Sequence, residues 1–156
     1  MRKRIIASNQ PIEREEETWL NIAKLGEIEV TSEDDNFPIE SAMEPGTNRG
    51  WRAASPGQQT IRVVFDQPQR LTRILLIFEE HEIARSHQFV LRWSPAVAAP
   101  FREIVRQQWN FSPPGTVREI EDYAVQLPSV KILELFILPN IAGGEGIASL
   151  IKLRLA

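Results

Sequence analysis

Residues 59–78 read QTIRVVFDQPQRLTRILLIF. In the first half Ile61, Val63 and Phe65 alternate with Arg62, Val64 and Asp66. That period of two sends every second side chain to one face of a strand. The second half, over 71–78, is nearly all apolar, as in a central strand covered on both faces. Gln67, Pro68, Gln69 and Arg70 separate the halves with turn chemistry, which predicts two strands joined by a short connection.

The same period continues on both sides. Over 88–93, Phe89, Leu91 and Trp93 alternate with Gln88, Val90 and Arg92. Over 101–107, Ile104 and Val105 break the alternation and predict a bulge. Residues 117–127 end in a clean Tyr123, Val125, Leu127 face, and 130–138 (VKILELFIL) is a second two-sided run. The closing stretch 148–155 sends Ile151, Leu153 and Leu155 one way, and Leu150, Lys152 and Arg154 the other. Upstream, 27–31 (EIEVT) alternates as a strand. TWLNIAKL, from Thr18, places Trp19, Ile22 and Ala23 at helical spacing behind a Thr18 cap, enough for a short turn. No ten-residue helix fits between the strands. The expectation is one all-β domain over 18–156, an antiparallel sandwich of about eight strands, behind a polar arm over 1–17.

Composition narrows the function. The chain has 156 residues, 42% hydrophobic and 25% charged, with a net charge of −3 and no cysteine. The balance offers no basic face for nucleic acid. Without cysteine there is no disulfide, thiolate metal site or cysteine nucleophile. The apolar run after the basic start is too short for a signal peptide, and none reaches the roughly 18 residues of a membrane span. A reduced, cytoplasmic setting is expected. The sequence also lacks GxSxG, HExxH and phosphate-loop patterns, so no enzyme is expected.

If each strand crosses the sandwich, successive connections alternate between its ends. The short ones, 67–70, 95–100 and 128–129, then share one end with the C-terminus. The long ones, 38–57, 79–87, 109–116 and 140–147, gather at the other, where sandwiches commonly build binding sites.

PIESAMEPGTNRGWRA (38–53), QTIRVVFDQPQRLTRILLIF (59–78), QFVLRWS (88–94) and ASLIKLRLA (148–156) together resemble the discoidin family. These are also called coagulation factor V/VIII type C domains, within the galactose-binding-like jelly rolls. The resemblance runs from residue 30 to the end and implies an antiparallel jelly-roll β-sandwich. It also implies a non-catalytic module that binds glycans, lipid head groups or proteins through loops at one end.

Three departures stand out. The family's calcium loop has an acid-Gly pair and a Thr before the Trp, with a Glu in the last strand. The corresponding positions here look like Glu44-Pro45, Arg49 and Lys152. Calcium takes roughly six to eight oxygen ligands, so no calcium or other cofactor is expected, and Lys152 or Arg49 paired with Glu44 would fill the cation's place. The family's Asp-Gly hairpin gives way to PAVAAP (95–100), and a closing disulfide is impossible.

The candidate contacts sit in the long loops. Asn48, Arg49 and Arg52 flank Trp51, which itself reads as core. His81, Arg85 and His87 lie in the polar 79–87 loop, whose planar groups suit sugar hydroxyls, although such loops are often only solvated. A zinc site from His81 and His87 lacks supporting spacing, so no metal site is expected. Trp109, Asn110 and Phe111 read either as an aromatic platform for a sugar ring or as a plug in the end of the sandwich. Glu145 is a minor candidate in the Gly-rich 140–147 loop. The expected function is a carbohydrate-binding module. The alternative is an intracellular protein–protein interaction module that has lost sugar and calcium. Apolar outward positions (Leu75, Ile77, Leu150) allow a covered second face or a homo-oligomer contact.

Overall fold

The computed structural model describes residues 2–3 and 19–156. Apart from residues 2 and 3, the expected arm over 1–17 lies outside the described residues, as does the Thr18 cap. Helix α1 (Ile22–Leu25) begins instead at Asn21, whose side chain accepts the Lys24 N–H at 3.3 Å. Among the described residues, no helix is long and apolar enough to cross a membrane.

Strand β1 (Gly26–Val30) leads into a loop holding helix α2 (Glu40–Met43) and the short β2 (Trp51–Arg52). Then come β3 (Gln59–Glu79), β4 (Arg85–Ser94), β5 (Arg102–Phe111) and β6 (Arg118–Leu138), closed by β7 (Ser149–Leu150) and β8 (Lys152–Leu155). All pairs are antiparallel, in the order β1-β3-β6-β4-β5 with β8 on β3, and β2 pairs with β7.

β3 and β6 are each 21 residues long and pair along their whole length. Straight, each would span about 70 Å, far more than a domain with a radius of gyration of about 15 Å can hold. Both therefore fold over, at the register breaks between Val64 and Arg73. Their ends confirm it. Gln59, at the start of β3, pairs with Ile137, and Glu80, just past its end, joins Arg85, which bonds the Pro139 carbonyl. So β3 begins and ends at one end of the molecule.

This corrects the expected turns at 67–70 and 128–129. The chain does reverse there, but the β3–β6 ladder passes around the corner instead of ending. The fold-over makes two layers, a device that sandwiches use at strand corners. One holds β5, β4, the second half of β6, the first half of β3, and β1. The other holds the first half of β6, the second half of β3, and β8. Phe78 and Phe89 meet between them, rings stacked with centroids 5.1 Å apart. Phe65, Leu71, Leu76, Leu91 and Leu133 fill the same core. Each such side chain contributes about 1.5–3 kcal/mol by leaving water.

Local details follow the pattern. Leu91 pairs with Val105 and Arg92 with Glu103, leaving Ile104 as the extra residue of the expected bulge. The closing strand differs from its expected phase. It breaks at Ile151, whose N–H bonds to the Ile77 carbonyl, so Leu150 turns inward with Leu153 and Leu155. Leu150 is thus core, not an outward position.

Candidate functional site

All four long connections meet at one end, as the alternation of connections requires. Glu80 N bonds to Val117 O, Ile141 N to Ser86 O, and Gly57 N to Gly146 O. Between three of these loops lies an open cleft of about 350 Å³.

Its first wall is set by Trp51. The ring is 1% exposed and its Nε1 donates to the Ser32 carbonyl at 3.0 Å. Gly50 makes this approach possible. Its φ of +71° is a left-handed conformation, and a Cβ there would stand 2.5 Å from the Leu150 carbonyl oxygen. Arg52 N bonds to Phe37 O, and the Arg49 and Arg52 guanidinium groups lie 5.2 and 4.5 Å from the Phe37 ring centroid. This stacking holds two cations toward the cleft.

The second wall is the end of β3 and the loop after it. Glu80 accepts the N–H groups of Glu82 and Ile83 and receives Arg85 Nε at 2.6 Å. Burial opposes its charge, but the Arg85 hydrogen bond, the two N–H groups and the Arg85 charge together hold its carboxyl below the ordinary value. His81 Nε2 lies 3.0 Å from Glu79 Oε1, with Arg118 at 3.6 Å on the other oxygen. Glu82 and Glu145 also line the cleft, without an ion-pair partner among the described residues. Ser149 closes the floor, its Oγ donating to the Glu79 carbonyl.

Of the candidate residues, Asn48, Arg49, Arg52 and His81 share this cleft. Arg85 and His87 do not: strand β4 starts earlier than expected and turns both inward. Arg85 is buried beside Glu80, over the Phe111 ring at 5.4 Å. His87 is 1% exposed, with Nε2 2.5 Å from Glu119 Oε1 and the rings of Phe78 and Phe111 around it. Trp109, Asn110 and Phe111 are the last residues of β5, not a loop. Phe111 is buried, Trp109 packs half-buried against the core, and Asn110 faces out to Ser86. The plug reading therefore describes Phe111.

Sequence reasoning missed Phe37, Ser149 and Ile151 as cleft residues. Phe37 stood directly before the turn-rich 38–57 stretch, and that was the one available signal.

The start of β6 carries an acid pair, Glu119 buried against His87 of β4 and Glu121 half-buried. Glu119 is fully buried and its Oε2 has no hydrogen-bond partner, while Tyr123 donates to Glu121 at 2.9 Å. Burial raises the Glu121 pKa, and the Glu119 charge adds to it. The Tyr123 phenol is pushed up as well, by burial and by Glu121. No group of three or more His, Cys, Asp or Glu is placed to hold a metal ion among the described residues.

The chain has the fold of the family 32 carbohydrate-binding modules, a discoidin-type, galactose-binding-like β-sandwich. The module of Clostridium perfringens NanJ, solved with galactose, superposes with a TM-score of 0.64 at 13% identity over 88% of this chain and 97% of that one. The third such module of a C. perfringens family 31 glycoside hydrolase gives 0.65 at 17% identity, over 90% and 95%. The AlyQ module, solved with 4,5-unsaturated mannuronic acid, gives 0.60 at 13%, over 85% and 95%. No protein-family model matches the chain, and no curated protein does.

Proposed function

We propose that the protein is a non-catalytic carbohydrate-binding module whose site is the cleft between Phe37, Arg52, His81 and Glu145. One observation carries this reading. Guanidinium and amide donors (Asn48, Arg49, Arg52) line the first wall of the cleft, and carboxylate acceptors (Glu82, Glu145) line the rest of it. A sugar hydroxyl both donates and accepts, so it satisfies both sets at once. The volume is at the small end of ligand sites. Glu82 and Glu145 oppose an anionic ligand, so the sugar is neutral rather than a uronate. The test is a glycan panel read by calorimetry. Saturable binding of neutral sugars that vanishes in Arg52→Ala supports the reading, and no binding across the panel sinks it.

A second reading, docking of a protein partner, has one observation behind it. Ile83 and Ile141, on loops of the same end, are 54% and 41% exposed. Ile141→Ser, outside the cleft lining, leaves sugar binding intact if the first reading holds.

A further inference from the structure

We propose that Arg154 is a built-in cation that seats the loop after α2, so that the first wall of the cleft is positioned without a divalent metal. Arg154 sits in β8 opposite Leu75, on the outer face of its layer, yet it is only 5% exposed. The loop covers it. Its Nη1 donates to the Met43 carbonyl and its Nη2 to the Glu44 carbonyl at 2.7 Å. The carbonyls at the end of a helix lack intrahelical partners and need outside donors. A planar guanidinium meets two such acceptors from two separate nitrogens in a fixed fork, whereas an ammonium offers one nitrogen on a flexible stem.

Calcium does not fit this donor set. It takes roughly six to eight oxygens, and here the two converging carbonyls already bind a buried positive charge that repels a second one. The sequence pointed to Lys152 or Arg49 pairing with the Glu44 side chain. Instead Arg49 lies over Phe37, and the cation that arrives is Arg154, bound to backbone oxygens. The loop is braced again by Thr47 Oγ1 donating to Ser41 O and by Ile39 N donating to Glu33. From Glu44 the chain runs directly to Asn48, Arg49 and the Trp51 anchor. Arg154 and Trp51 therefore bracket the segment that carries the first wall, which makes Arg154 a positioning residue. This holds whether or not the cleft takes a sugar.

The test needs no ligand. Thermal unfolding and limited proteolysis are run on the full chain in calcium and in chelator, for the wild type, Arg154→Gln and Arg154→Lys. The wild-type Tm is expected to be the same in calcium and in chelator. Arg154→Gln is expected to lose about 5–10 °C and to be cut faster within 44–50 than elsewhere. Arg154→Lys recovers part of both, since it restores the charge but not the fork. A wild-type Tm that rises with calcium overturns the proposal, as does a Gln variant as protected as the wild type or a Lys variant no better than Gln. If the Gln variant fails to fold, the wild-type calcium response and the Lys variant decide.

Discussion

Arg85 Nε lies 2.6 Å from Glu80 Oε1, and the same guanidinium reaches the Pro139 carbonyl at 2.5 Å. One buried side chain thus ties the end of β3, the start of β4 and the end of β6 together beneath the cleft. Breaking a buried pair by removing one partner costs about 3–5 kcal/mol, so Arg85→Met should be destabilised on that order in urea unfolding. The pH dependence has a sign. The Glu80 carboxyl is held below its ordinary value of 4.5, so its contribution is present above that value and lost as pH falls through the lowered folded one. The gap between wild type and Arg85→Met should narrow in acid. A gap that widens there would contradict the assignment.

Glu121 behaves in the opposite sense. Its folded pKa is raised above 4.5 by burial and by Glu119, so its contribution is present below the ordinary value and disappears as pH rises through the folded one. The groups facing it are Glu119 and Tyr123 from its own strand and His87 from β4. Glu121→Gln keeps an acceptor for Tyr123 without the charge. Its Tm should gain on the wild type as pH rises toward neutral, and parallel Tm profiles would refute this.

Gly50→Ala should loosen the first wall. The left-handed φ costs an L residue roughly 1–2 kcal/mol, and the new Cβ meets backbone atoms of Leu150 and Ile151 that cannot swing aside. A total loss of about 2–4 kcal/mol is expected, together with a change in near-ultraviolet circular dichroism from Trp51. An unchanged spectrum and midpoint would mean that the β2–β7 pairing does not depend on this approach.

Arg52→Ala should weaken sugar binding about ten- to hundredfold, the loss of a charged hydrogen bond worth about 1.5–3 kcal/mol. Trp109→Phe should leave affinity unchanged, because Trp109 packs inward from β5. Titration calorimetry separates the two. Equal losses in both variants would move the site away from the cleft.

Much of the interior was written in the period of two, and could have been carried further. Phe89, Leu91 and Trp93 set a face that, extended backward, falls on His87 and Arg85, both buried. Tyr123, Val125 and Leu127 extend backward to Glu121 and Glu119 in the same way. Arg85 and His87 looked like loop contacts because their charge and polarity outweighed the strand parity at the start of β4. The Ile104 bulge was legible because a broken alternation is local.

The sequence by itself determined an antiparallel sandwich, its strand faces, and the gathering of the long loops at one end. Alternation and turn chemistry act over a few neighbouring residues, so they survive without a partner in view. Only the tertiary structure decided that β3 and β6 pair continuously around a corner, that Phe37 meets Arg49 and Arg52, and that Arg154 reaches the carbonyls after α2. These depend on segments as many as 111 residues apart in the chain. No local pattern encodes which distant acceptor a buried guanidinium will meet.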